Sequence, residues 1–223
     1  MRRDVLAYPF WSAEEIETAM APALEQLELR RVLAYPTETV YGFGGAIDRD
    51  SVVNLIRLKS RPIGKPFLLL VDGSDMVARL DLHLPSYASM LAARHWPGPL
   101  TLVLPGGHGR VPDQLRGPEG GIAVRWTSHP GIQGLIRAHG DPITSTSANR
   151  PGVPPAMAAA AILAQWPDAI ARGLLRVLDA GTLTPSSPST VVDCMGRAPR
   201  VIRPGAIPAR VLRESVPSLI GDA

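Results

Sequence analysis

Ala34-Tyr35-Pro36-Thr37-Glu38-Thr39-Val40-Tyr41-Gly42-Phe43-Gly44-Gly45 is the stretch on which the reading of this chain turns. It extends an apolar run, Val32 to Tyr35, that reads as a strand. Pro36 has no N–H to donate and ends the ladder there. Two threonines, a tyrosine hydroxyl and three glycines then fall within nine residues. Glycine lets a backbone approach a ligand closely, and hydroxyls supply short, rigid hydrogen bonds. Alone, the stretch also fits a strand, a polar turn and a second strand. Three more polar clusters that follow apolar runs shift the reading toward a site.

Working outward, Ser12 with Glu15 forms a capping box, and Ile16, Met20, Ala23 and Leu27 share one helical face. Pro22 predicts a kink or restart in that helix. Asp48 and Asp50 read as turn or cap residues, and Val52, Val53, Ile56 and Leu58 as a short helix that ends in Lys59-Ser60-Arg61-Pro62. A turn at Gly64-Lys65-Pro66 leads to a buried strand, Phe67 to Val71, then a short helix after Asp72-Gly73-Ser74. Pro85 to His95 is helical, and Trp96-Pro97-Gly98-Pro99 is a rigid turn before the strand Leu100 to Leu104. Gly106 to Gly121 is loop-rich. Strands at Ile122–Arg125, Ile143–Thr146 and Leu174–Leu178 alternate with helices at Gly131–His139 and Met157–Gln165. Thr182 to Pro188 is a loop, Thr190–Asp193 and Val201–Arg203 pair across Gly196, and Ala209 to Glu214 is a last short helix. The irregular alternation predicts an α/β fold with a twisted, mixed parallel and antiparallel sheet and flanking helices.

The 223 residues fit one domain, with a core at about 12–207 and a short tail at 208–223. Hydrophobic content of 45% and charged content of 19% are those of a soluble globular protein. The 23 prolines and 21 glycines are spread along the chain, which argues for ordered turns rather than disorder. A net charge of +3 permits an anionic ligand or nucleic acid without demanding one. Cys194 is the only cysteine, so no internal disulfide can form and a reducing compartment is expected. No apolar segment follows Met1-Arg2-Arg3-Asp4, and no run reaches membrane-span length. A cytoplasmic location, with no membrane partner, is the expectation.

Phosphate-loop, dinucleotide-fold, nucleophile-elbow and zinc-binding patterns are all absent. The five histidines, at 83, 95, 108, 129 and 139, lack metal-site spacing, and no metal site is expected from protein ligands. The first polar cluster is Thr37, Thr39 and Tyr41. The second, Lys59, Arg61 and Lys65, reads either as a solvated basic loop at a helix end or as a polyphosphate clamp. The third, Thr144-Ser145-Thr146-Ser147-Ala148-Asn149, is a strand end of small hydroxyls. The fourth joins Ser187-Pro188-Ser189-Thr190 to Arg203-Pro204-Gly205. None contains a convincing general base. Hydroxyls with fixed positive charge suit a site that holds a nucleoside triphosphate and acts by positioning and electrostatics.

Together the clusters resemble the YrdC family, the threonylcarbamoyl-AMP synthases. The matching pieces are Pro36-Thr37-Glu38-Thr39-Val40-Tyr41-Gly42, Lys59-Ser60-Arg61-Pro62 with Lys65-Pro66, Trp96-Pro97-Gly98-Pro99-Leu100-Thr101, Ala123-Val124-Arg125, Thr146-Ser147-Ala148-Asn149, Ser189-Thr190-Val191-Val192-Asp193 and Arg203-Pro204-Gly205. They run in family order from about residue 12 to 207. The resemblance implies a basic cavity and a reaction of L-threonine, bicarbonate or CO2, and ATP, with Mg²⁺ on the triphosphate. The products are threonylcarbamoyl-AMP and pyrophosphate. A separate threonylcarbamoyl-transfer complex then modifies adenosine in tRNA.

By position, the resemblance implies that Lys59 and Arg61 carry the chemistry at the phosphates. Thr37, Arg125, Ser145 and Ser189 hold L-threonine, while Arg61, Lys65, Ser147, Asn149 and Arg203 hold ATP. Phe43 stands where leucine is common in the family, and Pro151 and Pro155 replace small or serine residues, so no side-chain contact to nucleotide is expected from either proline. The chain resembles the short form, without the further C-terminal domain of long members. Two other functions remain open at this point: an RNA-binding module without chemistry, and a carbamoyl-transfer enzyme like the hydrogenase-maturation proteins.

Overall fold

The computed structural model describes residues 7–61 and 65–221. The expected turn at Pro62 and Gly64 lies outside the described residues. The strands are β1 (Ala7–Pro9), β2 (Val32–Tyr35), β3 (Gly42–Gly44), β4 (Leu68–Leu70), β5 (Leu100–Leu104), β6 (Ile122–Arg125), β7 (Ile143–Ser147), β8 (Leu175–Asp179), β9 (Thr190–Asp193) and β10 (Arg200–Arg203). The helices are α1 (Ala13–Glu28), α2 (Arg49–Lys59), α3 (Ser74–Arg79), α4 (Ser86–His95), α5 (Pro130–His139), α6 (Ala159–Gln165), α7 (Pro167–Ala171) and α8 (Ala209–Ser215).

Among the described residues the strands form one ten-stranded sheet in the order β1-β8-β2-β3-β7-β4-β6-β5-β9-β10. The pairs β1–β8, β2–β8, β4–β6 and β5–β9 are parallel, and the others are antiparallel. The expected mixed sheet with flanking helices is therefore present. Helix α1 packs on β1, β2 and β8 and against α5, while α4 packs on β5 and α8. No described helix is long and apolar enough to cross a membrane.

Local chemistry sets the helix ends. Ser12 and Glu15 complete the capping box of α1. The Asp48 carboxylate accepts from the N–H groups of Asp50 (3.0 Å) and Ser51 (3.2 Å) and starts α2. Ser60, in the left-handed region, ends it. Of the kink or restart expected at Pro22, the restart does not occur: α1 runs as one helix through it. Pro22 removes one intrahelical bond, and Thr18, whose carbonyl loses its donor, is an exposed residue. Strand β1 and helix α7 were not foreseen, being three and five residues long, too short to show a period.

The pairing register decides which face of the sheet is core. Leu69, Thr144, Val124, Leu102 and Val192 point one way and are fully buried. The residues between them point the other way, because strand side chains alternate. Close approach of β3 to β7 needs glycine: a Cβ on Gly44 would lie 1.8 Å from the Thr144 carbonyl oxygen. Gly44→Ala is expected to destabilise the fold by about 2–4 kcal/mol through that clash, as a lowered urea midpoint with an unchanged m-value.

Candidate active site

The face opposite the core forms the floor of a cavity of about 300 Å³. Cross-strand pairing sets Ser145, Leu68 and Ala123 side by side on β7, β4 and β6. It sets Thr101, Val191 and Arg203 side by side on β5, β9 and β10. Ser147 and Arg125, two residues further along their strands, share this face, and all eight residues line the cavity. The β2–β3 loop adds Thr37 and Thr39, and the segment after α2 adds Arg61.

Seven residues expected from the sequence thus meet in one place: Thr37, Arg61, Arg125, Ser145, Ser147, Ser189 and Arg203. Lys59 and Asn149 sit just behind Ser147. The Lys59 ammonium donates to the Ser147 carbonyl and to Asn149 Oδ1 (2.6 Å), and Ser147 Oγ donates to the same Oδ1 (2.6 Å). The Lys65 side chain is exposed and does not line the cavity; its carbonyl accepts from Arg61 Nε at 3.3 Å. Tyr41, grouped with Thr37 and Thr39 by sequence, is buried in the core instead. Its hydroxyl donates to Gly181 O and accepts from Ala180 N, both at 2.9 Å, which ties the loop to the end of β8.

Arg125 is the most constrained cation. Nε donates to Gly98 O (3.2 Å), both terminal nitrogens reach Thr39 Oγ1 (3.2 Å), and Nη2 lies 2.9 Å from Glu38 Oε1. The Trp96–Pro99 turn therefore supports the site from behind Arg125, and is fixed in turn by Gly98 N–H donating to Trp126 O at 2.8 Å. Glu38 also accepts from the Thr127 hydroxyl and the Ser128 N–H. Burial pushes the Glu38 carboxyl up, but Arg125 and the Thr127 hydroxyl outweigh it and hold the group below the usual carboxylate range. The Thr37 hydroxyl donates to Val40 O (2.7 Å) and accepts from the N–H groups of Thr39 and Val40, so it shapes the loop.

Arg61 and Arg203 have no carboxylate partner among the described residues. Arg61 donates to Thr146 Oγ1 (3.1 Å) and Pro66 O (2.8 Å) and lies over the Phe67 ring at 4.7 Å. Arg203 donates to Ser189 O (2.7 Å) and Oγ (3.1 Å), and Ser189 Oγ is 2.8 Å from Thr101 Oγ1. Burial lowers both guanidinium pKa values, with Arg125 adding to the effect at Arg203. Burial, and then Arg61, push the Lys59 ammonium down to about 8. One paired cation and three unpaired ones make a preformed anion site with hydroxyl walls.

Glu38, Thr39, Thr101 and Thr146 are site residues that the sequence reading did not assign. Glu38 carried a signal, being a carboxylate between two threonines in a loop otherwise read as binding anions. Its partner, 87 residues away, did not show.

The fold is a mixed α/β sheet whose face carries a guanidinium-and-hydroxyl cavity. The Sua5–YciO–YrdC family model, described as telomere recombination, matches residues 25–205. The chain belongs to that family. It is 36% identical over 181 residues to a threonylcarbamoyl-AMP synthase of Chromohalobacter salexigens, covering 81% of this chain and 95% of that protein. It is 40% identical over 146 residues to one of Marinobacter nauticus, covering 62% of this chain and 77% of that protein. The structure of Pyrococcus abyssi Sua5 complexed with L-threonine superposes with a TM-score of 0.81 at 30% identity. That match covers 94% of this chain but 60% of the Pyrococcus chain, which is longer.

In the free site burial weakens the hold of Lys59 on its proton, which is lost as pH rises through about 8. An exposed lysine holds its proton to about 10.4. A bound polyphosphate favours the charged form and raises the pKa again. Binding of such an anion near pH 8 should therefore take up roughly half a proton. Calorimetry in buffers of different ionisation enthalpy reads the uptake, and Lys59→Ala should remove it.

Proposed function

We propose that the chain is an L-threonylcarbamoyladenylate synthase. The observation that carries this reading is one cavity that joins a paired, immobile guanidinium, Arg125, to the unpaired guanidinium groups of Arg61 and Arg203. Arg125, with Ser145 and Ser189 nearby, receives the L-threonine carboxylate. The threonine amine adds to CO2 and loses a proton, which gives a carbamate. A carbamate oxygen attacks the α-phosphorus of ATP, the bond to the bridging oxygen breaks, and pyrophosphate leaves with the electron pair. Mg²⁺ enters as part of MgATP.

Arg61 and Lys59 face the phosphates and stabilise negative charge that moves onto their oxygens. Arg203, Ser147 and Asn149 orient the nucleotide, with Lys65 at the edge of the site. Thr37 acts through the shape of its loop. No step needs a protein carboxylate as base, in keeping with a cavity that no described carboxylate lines and a neighbouring Glu38 already committed to Arg125. The product is a reactive mixed anhydride, so an acyl-transfer enzyme acting on tRNA adenosine must take it promptly.

Pyrophosphate release from ATP tests the reading. Release that requires both L-threonine and bicarbonate is the expected result; release indifferent to threonine contradicts it. Lys59→Ala and Arg61→Ala should each cost about 2–4 kcal/mol of transition-state stabilisation with the fold intact. Near-normal turnover in either folded variant removes that residue from the phosphate clamp.

A further inference from the structure

A second recess, of about 390 Å³, opens at the other end of β2 and shares no lining residue with the reaction cavity. Three arginines line it: Arg31 before β2, Arg57 in the last turn of α2, and Arg172 at the end of α7. No carboxylate lines the recess. Arginines near helix C-termini commonly answer the helix dipole or cap carbonyls. Among the described residues, none of these three makes a side-chain hydrogen bond or ion pair. Arg30, their neighbour, is neutralised by Asp48 and Asp50, so carboxylates are at hand on α2 yet none serves this group.

The walls are preformed. Buried Gln26 donates from Nε2 to both Val32 O and Gly173 O, at 3.1 Å each, and so ties β2 to the turn that carries Arg172. Val32 N–H donates to Leu174 O at 3.1 Å. Asn54 Nδ2 donates to Arg30 O at 2.8 Å and fixes α2 against the turn that carries Arg31. Arg57 and Arg172 are exposed and Arg31 is half-buried, so three like charges share the recess with no carboxylate in its lining, and an anion between them relieves their repulsion. The rest of the lining is apolar, from Leu58, Val32 and Leu174, the last 40% exposed. Three arginines beside an apolar wall, in a recess of small-ligand volume, match a phosphate ester with a compact organic part.

We propose that this recess is a second ligand site, for a phosphate monoester of mononucleotide size. It is independent of the synthase reading. The test uses the full chain and follows the Nε–Hε NMR signals of Arg31, Arg57 and Arg172. The probes are inorganic phosphate, 5′-AMP and a short single-stranded RNA without terminal phosphate. Phosphate and AMP should shift all three signals, AMP at the lower concentration. Arg57→Gln and Arg172→Gln, both at exposed positions, should each weaken AMP binding read at the remaining signals by about tenfold, as for a lost charged hydrogen bond. Signals unmoved by millimolar phosphate and AMP overturn the proposal. So does a response to RNA alone, which assigns the arginines to a polynucleotide surface. Threonine-dependent pyrophosphate release should be unchanged in both variants, so loss of this site and loss of the synthase reading are separate results.

Discussion

A guanidinium only 4% exposed must find all its acceptors inside the protein, and the site of this chain is arranged around that demand at Arg125. The acceptors come from far apart in sequence: Glu38 and Thr39 from the β2–β3 loop, and the Gly98 carbonyl from the turn before β5. Satisfying Arg125 therefore fixes the loop, the turn and the end of β6 relative to one another. The cavity lies above the sheet face, with Arg125 and the β2–β3 loop residues Thr37 and Thr39 in its lining. Gly44 and Tyr41 serve the same end from behind, one by letting β3 press on β7 and the other by anchoring the loop to the end of β8.

The charges divide by role. Arg125 is paired with Glu38, which sets it apart from the cations that have no carboxylate partner and fits the carboxylate-binding role proposed for it. Arg61, Arg203 and Lys59 spend their donors on neutral oxygens of threonine, serine, asparagine and the backbone. Those bonds hold each cation in place without cancelling its charge. A triphosphate gains the full electrostatic interaction with little reorganisation of the protein, which is the condition under which fixed charges stabilise a transition state. The lowered pKa of Lys59 is the cost of holding it there empty.

Much of this was legible in the sequence because the informative residues are local. Runs such as Leu100–Leu104 and Ile122–Arg125 mark strands, and Thr144-Ser145-Thr146-Ser147 announces a hydroxyl-bearing strand end of which Ser145, Thr146 and Ser147 reach the cavity. What escaped depends on long-range geometry. Pro22 obeys solvent exposure rather than propensity, and β1 exists because β8 offers it an edge. Tyr41 shares a motif with Thr37 yet points the other way. Glu38 acquires its meaning from Arg125, and the Lys65 carbonyl accepts from Arg61, a contact that the basic spacing alone does not show. The second group of arginines, at 31, 57 and 172, becomes a group only when three helix ends converge.

The central claim is that Arg125, held by Glu38, receives the amino acid while the unpaired cations receive the phosphates. A crystal structure of this chain with L-threonine and a non-hydrolysable ATP analogue tests it most directly. The account predicts the threonine carboxylate on Arg125 with the Glu38 pair intact, and the triphosphate against Lys59, Arg61 and Arg203. Threonine bound away from Arg125, or phosphates displacing Glu38 from it, would contradict the account.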